Sequence, residues 1–383
     1  MRQSSLGNRQ LCLVGHPYAP IGMGEHLRAS FRSFRAVHVS AGLLDVFELE
    51  QPDDGSIAEF AKAQQRDHAE INVFHINGNE VEQIWNHLNY SKKWSGYNII
   101  YPLWELARYP SEWAQLLDRF DEIWAPSKFI FDALKKACEK PVYHMPLACE
   151  IALTDFKSRR HFGLPEEDYI FLFFFDLRSY SSRKNPEAVI EAFRRFLTRR
   201  PYTRSHLVVK VNGVHTNPAL LTKLREAIAD LDSNVTLIHA VLSSNDVKNL
   251  VRCCDAFISL HRAEGFGFGI AEAMVLGKPV IATSYSGNMD FMNDEVALCV
   301  DYSLVPVKDG EYPHYEDQVW AEPDVQQAAI YMTNLVDNPG LGREIGLRAT
   351  RHMRNNFSYR RTGLHYLRRL DYIKDHILCK NVA

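Results

Sequence analysis

The sequence has little net charge and no long apolar run. Its 44 basic and 47 acidic residues leave a formal charge of −3, so no general electrostatic attraction to nucleic acid is expected. The longest apolar run, YIFLFFF at 169–175, is far shorter than the roughly 20 residues that span a bilayer. Because residues 1–10, MRQSSLGNRQ, contain no apolar stretch, we expect no signal peptide.

The cysteines form no recognisable pairing pattern. All seven are scattered between Cys12 and Cys379 without a Cys-x-x-Cys pair, which favours reduced thiols over a disulfide framework. No repeat or low-complexity segment is visible. We therefore expect a cytoplasmic protein, either soluble or peripherally associated with the inner face of the membrane.

What the sequence does have is enough apolar residues, 46% of 383, for two packed cores. Runs rich in β-branched and aromatic residues alternate with helix-period segments, which predicts parallel sheets covered by helices. One series of predicted strands lies at 11–15, 71–76, 97–101 and 122–126. A second series lies at 169–175, 206–211, 234–240, 256–260 and 279–283. The predicted fold class is α/β, with two Rossmann-like domains.

A polar, proline-containing stretch, residues 143–168, separates the two strand series. We place the boundary near residue 150, which gives an N-terminal domain of 1–150 and a C-terminal domain of 151–359. The last predicted helix, at about 360–383, follows the second series in sequence and could pack back on the first domain.

A glycine-rich turn follows the predicted strand at 256–260. The sequence there, HRAEGFGFGIAEAMVLGKP, contains Gly265, Gly267 and Gly269. Such a turn lets backbone amides approach a phosphate, and the helix that follows adds a positive dipole end. Glu264 and Glu272 flank the turn, where carboxylates can accept hydrogen bonds from sugar hydroxyls, Glu272 from a ribose and Glu264 from a second sugar. Alternatively, Glu264 caps the turn and Glu272 is a favourable acid in the first turn of the helix.

Three cations follow the apolar run YIFLFFF. Arg178, Arg183 and Lys184 lie in the predicted strand-to-helix loop, with Asn185 as the helix N-cap and Pro186 as its first residue. Open α/β sheets bind ligands outside the carboxyl ends of their strands. Cations that face a glycine-rich turn at this edge predict neutralisation of a diphosphate, although basic loop residues can also be ordinary solvated surface.

These segments carry a family resemblance. The string EGFGFGIAE resembles the Glu-x7-Glu motif of retaining glycosyltransferases, and its surroundings are similar to glycosyltransferase family four. RKNPEAVIEAF resembles that family's donor-phosphate loop, and AEPDVQQAA resembles a later segment of the same domain. The resemblance covers about residues 165–335 and is weaker in the N-terminal half. It implies a GT-B fold, in which two Rossmann-like domains with parallel sheets face each other across a cleft.

The resemblance also implies an activity. The C-terminal domain would bind a GDP- or UDP-sugar and the N-terminal domain a glycan or lipid-linked glycan acceptor, for hexose transfer in polysaccharide synthesis. Glu272 would hold the nucleotide ribose, Glu264 the transferred sugar and Lys184 the leaving diphosphate. Common members space the arginine and lysine by five residues. Because Arg178 precedes Lys184 by six residues and Arg183 is inserted, the arginine that contacts the diphosphate stays open.

Two further features resemble the family in the N-terminal half. PIGMGEHLR, with Gly22 and Gly24, is similar to a glycine-rich loop after the first strand, although an ordinary turn would look the same. His75 matches a histidine that faces the donor sugar, although a histidine at a strand end is often structural. Trp104 and Trp113 could stack on an acceptor sugar or belong to the core.

The predicted site is assembled from these motifs. The predicted catalytic residues are His75, Lys184 and Glu264. The predicted donor-binding residues are Gly22, Gly24, Arg178, Arg183, Lys184, Val241, Glu264, Gly265, Phe266, Gly267, Phe268, Gly269 and Glu272. No metal or cofactor is predicted, because cations and a helix start can neutralise a diphosphate. Three alternatives remain: a glycoside hydrolase that uses the two glutamates as acid and nucleophile, a GT-B nucleotide-sugar epimerase, and a nucleotide-sugar sensor.

Overall fold

The computed structural model describes residues 10–49, 55, 57–65, 69–87 and 96–379. Residues 1–9 and 380–383, which include most of the N-terminal stretch and the end of the last predicted helix, lie outside the described residues. The chain divides into two compact units. The first comprises Met1–Glu150 with Asn355–Ala383, and the second comprises Ile151–Arg354.

The first unit contains a six-stranded parallel sheet. Its strands are β1 (Leu11–Gly15), β2 (Gly42–Asp45), β3 (Ile71–Phe74), β4 (Tyr97–Ile100), β5 (Glu122–Ala125) and β6 (Val142–His144). The order across the sheet is β2-β1-β3-β4-β5-β6, so β6 is an edge strand. The helices are α1 (Gly22–Ala36), α2 (Ala58–Ala61), α3 (Val81–His87), α4 (Ser111–Leu117) and α5 (Lys128–Ala137).

The sequence forms these elements for simple reasons. Every residue of β1 is buried, as expected for a strand of a parallel sheet with both faces covered. In α1, Leu27, Phe31 and Phe34 recur at helical spacing and form a buried stripe. The helix α5 begins after Ser127, whose side chain accepts a hydrogen bond from the amide of Ile130.

The second unit contains another six-stranded parallel sheet. Its strands are β7 (Tyr169–Asp176), β8 (Ser205–Asn212), β9 (Val235–Ile238), β10 (Ala256–Ser259), β11 (Val280–Thr283) and β12 (Leu298–Val300), followed by the antiparallel pair β13 (Tyr302–Pro306) and β14 (Val319–Pro323). The sheet order is β12-β11-β10-β7-β8-β9. The helices are α6 (Ser181–Lys184), α7 (Pro186–Arg199), α8 (Pro218–Ile228), α9 (Ser244–Cys253), α10 (Phe268–Val275), α11 (Val325–Asp337) and α12 (Pro339–Asn356).

Aromatic rings fill the interior of the second unit. Phe171 of β7 contacts Phe193 and Phe196 of α7, with ring centroids 6.3 and 5.6 Å apart. All three side chains are fully buried. This packing fixes α7 against the sheet and places the loop before it at the carboxyl end of β7.

The last helix, α13 (Tyr359–Ile373), belongs to the first unit. Tyr366 packs on Phe34 of α1 with ring centroids 5.2 Å apart, and its hydroxyl donates to the carbonyl of Pro146 at 3.0 Å. A Cβ at Gly363 would lie 2.1 Å from the carbonyl oxygen of Ser33, so α13 approaches α1 closely because this residue has no side chain.

The α/β class with two parallel sheets is confirmed. All nine predicted strands occur, with ends within two residues of their predicted positions. The sequence analysis missed β2, β6, β12 and the β13–β14 pair, which are short and carry weak periodicity. Among the described residues, no helix is both long and apolar enough to cross a membrane. All seven cysteines are free.

Candidate functional site

The glycine-rich turn connects the end of β10 to α10. Gly267 has φ +95°, a backbone conformation that favours glycine, and it directly precedes α10. Gly269 lies against Phe174, where a Cβ would come within 2.9 Å of the ring. The predicted end of the helix is also present, because Gly277 has φ +73° just after α10. The turn therefore places the start of α10 at the carboxyl edge of the sheet.

Glu264 lies at this edge as a buried carboxylate held by two cations. Its Oε1 accepts a hydrogen bond from Lys184 Nζ at 2.5 Å, and its Oε2 accepts one from Arg183 Nη1 at 3.1 Å. Burial alone would raise the pKa of Glu264, but the charges of Lys184 and Arg183 lower it to about 2. Glu264 is therefore ionised at neutral pH. We call Arg183, Lys184, His261 and Glu264 the Glu264 cluster.

The segment after β11 supports Glu264. The Glu264 amide donates to Ser286 Oγ at 2.7 Å, and the Gly287 amide donates to the Glu264 carbonyl at 2.8 Å. A Cβ at Gly287 would lie only 2.0 Å from the carbonyl oxygen of Gly265. Glycine is required at this position because the two loops touch backbone to backbone.

His261 is a member of the cluster that the sequence analysis overlooked. The ring is fully buried, with Nδ1 3.0 Å from Ser259 Oγ and Nε2 3.0 Å from Asn288 Oδ1. Burial lowers its pKa, although the charge of Glu264 opposes this effect. The available signal was its position directly after a strand and three residues before Glu264.

The structure distinguishes the two arginines. Arg178 forms an ion pair with Asp176 in its own loop, with Nη2 2.6 Å from Oδ2. Arg183 is 5% exposed and bonds both to Glu264 and to the Ala263 carbonyl. The Glu264 cluster therefore includes Arg183 and Lys184, whereas Arg178 is held by Asp176.

Lys210 and Asn185 are two other buried polar residues. Lys210 lies in β8, which pairs with β7, and Asn185 directly follows Lys184 in the sequence. Lys210 of β8 is 1% exposed, and burial lowers its pKa to about 8, against the charge of Asp176.

Asn185 occupies the predicted N-cap position, and Pro186 begins α7 as expected. However, Asn185 adopts a left-handed conformation and its side chain makes no capping bond. Its role as an N-cap side chain was predicted wrongly, since φ of +53° turns the side chain away from the geometry that a cap needs.

The remaining donor-binding predictions occupy different environments. Glu272 is half-buried in α10. Phe266 is buried and contacts the rings of Phe268 and Phe291, with centroids 5.0 and 5.1 Å away. Val241 lies after β9 and is 95% exposed, outside the Glu264 cluster.

The two glycines near β1 differ from each other. A Cβ at Gly24 would lie 2.2 Å from the Ala19 carbonyl oxygen, whereas a Cβ at Gly22 would meet no atom within 4 Å. Arg28 also donates to the Ala19 carbonyl, at 2.9 Å. Packing of the loop against α1 therefore requires glycine at position 24 and leaves position 22 open.

His75 lies directly after β3, but its ring is fully buried. It contacts the rings of His26 and Tyr101, with centroids 4.7 and 5.4 Å away. Among the described residues, the ring nitrogens of His75 and His26 have no hydrogen-bond partner. Burial lowers the pKa of both rings, that of His26 to about 3. The family resemblance predicts that His75 faces the donor sugar, and sugar contact by His75 stays a prediction.

A second histidine at a strand end was missed. His16 follows β1, and its Nε2 lies 2.7 Å from Glu80 Oε1. Its ring stacks on Phe47 with centroids 4.8 Å apart. The other carboxylate oxygen of Glu80 accepts from the Asn77 amide at 2.7 Å. Because His16 and Glu80 are 64 residues apart, no local pattern reveals the pair.

The tryptophans that were candidates for acceptor stacking pack on each other. Trp104 is 3% exposed, and its Nε1 donates to the Arg108 carbonyl at 2.8 Å. Its ring meets Trp113 edge-on, with centroids 5.3 Å apart. This arrangement supports the core interpretation for Trp104.

Comparison with known proteins adds independent information. Residues 155–305 match a family model described as "Glycosyl transferases group 1". This range, less than half of the chain, contains the whole Glu264 cluster. Mannosylfructose-phosphate synthase of Agrobacterium fabrum is 26% identical over 109 residues, which are 28% of this chain and 24% of that protein. The aligned part thus spans about a quarter of that relative.

Several solved structures resemble the whole chain. Anabaena Alr3699/HepE in complex with UDP-glucose has a TM-score of 0.69 at 14% identity, and the match covers 95% of this chain and 99% of that one. Sucrose-phosphate synthase from Thermosynechococcus elongatus has a TM-score of 0.67 at 14% identity, with coverage of 95% and 99%. A glycosyltransferase from Rickettsia africae has a TM-score of 0.66 at 15% identity, with coverage of 97% and 100%. At these identities the likeness establishes the fold, which confirms the predicted GT-B architecture. Together, the matched domain and the shared fold support a GT-B glycosyltransferase.

Proposed function

We propose that the protein is a retaining hexosyltransferase of family four that moves a hexose from a UDP- or GDP-sugar to a glycan or lipid-linked glycan acceptor. The observation that carries the proposal is the buried Glu264 carboxylate with Lys184 at 2.5 Å and Arg183 at 3.1 Å. This arrangement joins a sugar-binding acid to two phosphate-binding cations at the carboxyl edge of a parallel sheet, beside a helix start.

Each group of the cluster has a chemical task in transfer. Glu264 is ionised because its pKa is about 2, so it can only accept hydrogen bonds, as recognition of sugar hydroxyls requires. Lys184 and Arg183 supply donors for the diphosphate oxygens. Glu272, in α10, is proposed to bind the ribose hydroxyls.

The proposed reaction exchanges one bond at the anomeric carbon for another. The bond to the diphosphate oxygen breaks, and a bond to the acceptor oxygen forms on the same face of the sugar. The departing diphosphate oxygen takes the proton of the acceptor hydroxyl. Lys184 stabilises the charge that develops on the diphosphate, which lowers the barrier without a metal ion.

A protein of similar fold supports the proposed donor class. Alr3699/HepE has been solved with UDP-glucose, so UDP-sugars are the first donors to test and GDP-sugars the second. The variable N-terminal half, which the family model does not match, is proposed to bind the acceptor.

A two-step experiment tests the proposal. A thermal-shift screen of UDP- and GDP-hexoses identifies the donor, because a bound donor stabilises the native state. Release of nucleotide diphosphate is then measured with and without glycan acceptors, and the anomeric configuration of the product is determined by NMR. The matched pair Lys184→Ala and Lys223→Ala, the latter an exposed lysine of the same unit, separates the site from general charge loss.

The outcomes discriminate between activities. Acceptor-dependent release with retained configuration supports the proposal. Interconversion of nucleotide-sugars without acceptor identifies an epimerase instead, and hydrolysis of glycosides identifies a hydrolase. An inverted product contradicts retention, while donor binding without turnover on any acceptor identifies a sensor.

A further inference from the structure

A second group of cations lies in the first unit, outside the residues proposed for transfer. A surface cavity of about 290 Å³ opens between the edge strand β6 and the helix α13. Its lining includes Tyr143, His144, His365, Arg368, Arg369 and Tyr372. None of the lining residues is acidic.

Arg369 forms a fixed and neutralised wall of this cavity. Its Nε and Nη2 donate to the buried carboxylate of Glu122 at 3.1 and 2.5 Å. Its guanidinium carbon lies 3.7 Å from the ring centroid of Tyr143. Glu122 also accepts from the Tyr97 hydroxyl at 2.9 Å and from Trp124 Nε1 at 2.7 Å. The lone pairs of Glu122 are thus in use, and its charge is matched by that of Arg369.

Arg368 supplies the uncompensated positive charge at the cavity. Among the described residues, neither Arg368 nor His365 forms an ion pair or hydrogen bond with a carboxylate. The pKa of His365 is lowered, first by burial and then by the charges of His144, Arg368 and Arg361. Protonation of His365 next to these charges, without a compensating acid, is unfavourable unless an anion is bound.

The nearest acid in sequence does not relieve this repulsion. Asp371 of α13 is exposed, and its pKa is raised by partial desolvation of the carboxylate and by the charge of Asp375, with Lys374 opposing. Its electrostatic neighbours are therefore the residues at the end of α13. Among the described residues, the charge of Arg368 at the cavity therefore has no acidic partner, on a chain whose formal charge is −3.

We propose that this cavity binds a phosphate group, carried either by a lipid headgroup or by a free phosphorylated small molecule. The planar guanidinium of Arg368 and the ring N–H of His365 offer donors to phosphate oxygens, and the charge of Arg368 strengthens such bonds. The rings of Tyr143 and Tyr372 flank the space that the carrier of the phosphate would occupy. This proposal is independent of the transfer activity.

Calorimetric titration with inorganic phosphate at low ionic strength tests the site. Arg368→Gln combined with His365→Gln should weaken phosphate binding about tenfold or more, the loss expected for charge-assisted hydrogen bonds. Both side chains are exposed, so the variant should fold, which its melting temperature checks. Arg360→Gln removes an exposed charge from the same helix outside the cavity lining and should bind phosphate as the unaltered protein does.

Flotation with vesicles identifies the source of the phosphate. Phosphatidylcholine vesicles that carry phosphatidic acid are compared with phosphatidylcholine alone. Phosphate binding and phosphatidic-acid binding that are both lost in the double variant support the site and assign it to a headgroup. Phosphate binding lost in the double variant, with no vesicle binding by the unaltered protein, supports the site and assigns it to a free ligand. Equal phosphate affinity of all three proteins, no phosphate binding, or equal loss in Arg360→Gln overturns the proposal.

Discussion

Two buried groups of ionisable side chains, one in each unit, differ in charge. In the second unit, Glu264 stays charged in the interior because Lys184 and Arg183 compensate it. In the first unit, His26 and His75 are buried next to each other, and burial keeps both rings neutral. A protein interior tolerates charge only where it is paired. The Glu264 cluster of the second unit thus holds paired charges, while the His26–His75 pair of the first unit is neutral and packs against the ring of Tyr101.

The largest effect should come from removing Lys184, the half-buried cation of the Glu264 cluster. Lys184→Ala should lower turnover by roughly 100-fold or more, because it removes the cation that we propose stabilises the leaving diphosphate. Steady-state kinetics with the identified donor measures the loss. Lys223→Ala, at an exposed lysine of α8, is the control and should keep its turnover. Near-normal turnover of Lys184→Ala would remove Lys184 from the site.

The two glutamates should separate binding from turnover. Glu272→Ala should weaken nucleotide diphosphate binding more than tenfold, because the proposed charge-assisted bonds to the ribose are lost. Glu264→Ala should keep that affinity within about twofold and reduce turnover, since its proposed contact is with the transferred sugar. Calorimetry with the nucleotide diphosphate measures the first effect. Equal loss of affinity in both variants would contradict this division of roles.

The first unit offers a steric test at its glycine pair. Gly24→Ala should reduce the free energy of unfolding by about 2 kcal/mol, because its Cβ overlaps the Ala19 carbonyl oxygen. Gly22→Ala meets open space and should change stability by less than about 0.5 kcal/mol. Urea denaturation measures both. A loss of turnover in the stable Gly22→Ala variant would favour a donor-binding loop, and unchanged turnover would favour an ordinary turn.

The neutral histidines predict a pH dependence of stability. The unfolded chain protonates His26 near pH 6.5, whereas the folded chain does so only near pH 3. The free energy of unfolding should therefore fall as pH drops below 6.5, by about 1.4 kcal/mol per pH unit for each such histidine. His261 of the second unit, whose pKa is also lowered, adds a slope of the same sign.

A variant isolates the contribution of the first unit. His26→Phe should show a shallower loss of stability between neutral pH and pH 5 by urea denaturation, whereas His239→Phe, at an exposed histidine, should keep the full slope. Glu264 changes the pH slope only below pH 4.5. The stability that its charge provides is present at higher pH and is lost as pH falls from 4.5 towards 2. Identical slopes for His26→Phe and the unaltered protein would show that His26 does not stay neutral.

The smallest effect concerns His75. If His75 donates a hydrogen bond to the transferred sugar, His75→Phe should reduce transfer about three- to tenfold, the worth of one neutral hydrogen bond. His26→Phe is the matched control, since both rings are equally buried. Nucleotide diphosphate affinity should stay within about twofold in both variants. Equal transfer rates for the two variants would show that His75 is a core residue only.

Short sequence patterns predicted those structural features that depend on only a few neighbouring residues. The run YIFLFFF is buried in β7, Pro186 begins α7, and Gly267 has the positive φ that a tight turn demands. Each follows from a few neighbouring residues, because burial of a strand, a fixed φ or a missing Cβ acts over short stretches of chain. Asn185 shows the limit of such reasoning, since its residue type suits a cap but its backbone conformation does not.

The sequence by itself determined the two α/β units, the glycine-rich turn and the cationic loop after β7, because these depend on spacing along the chain. Only the tertiary structure decided that Arg183 rather than Arg178 reaches Glu264, and that His16 meets Glu80. The tertiary structure also decided that His75 is buried and that residues of β6 and α13 together line the cavity at Arg368. Such pairs lie tens to hundreds of residues apart in sequence. Their contacts depend on how the helices pack on each sheet, and packing is set by the whole unit at once.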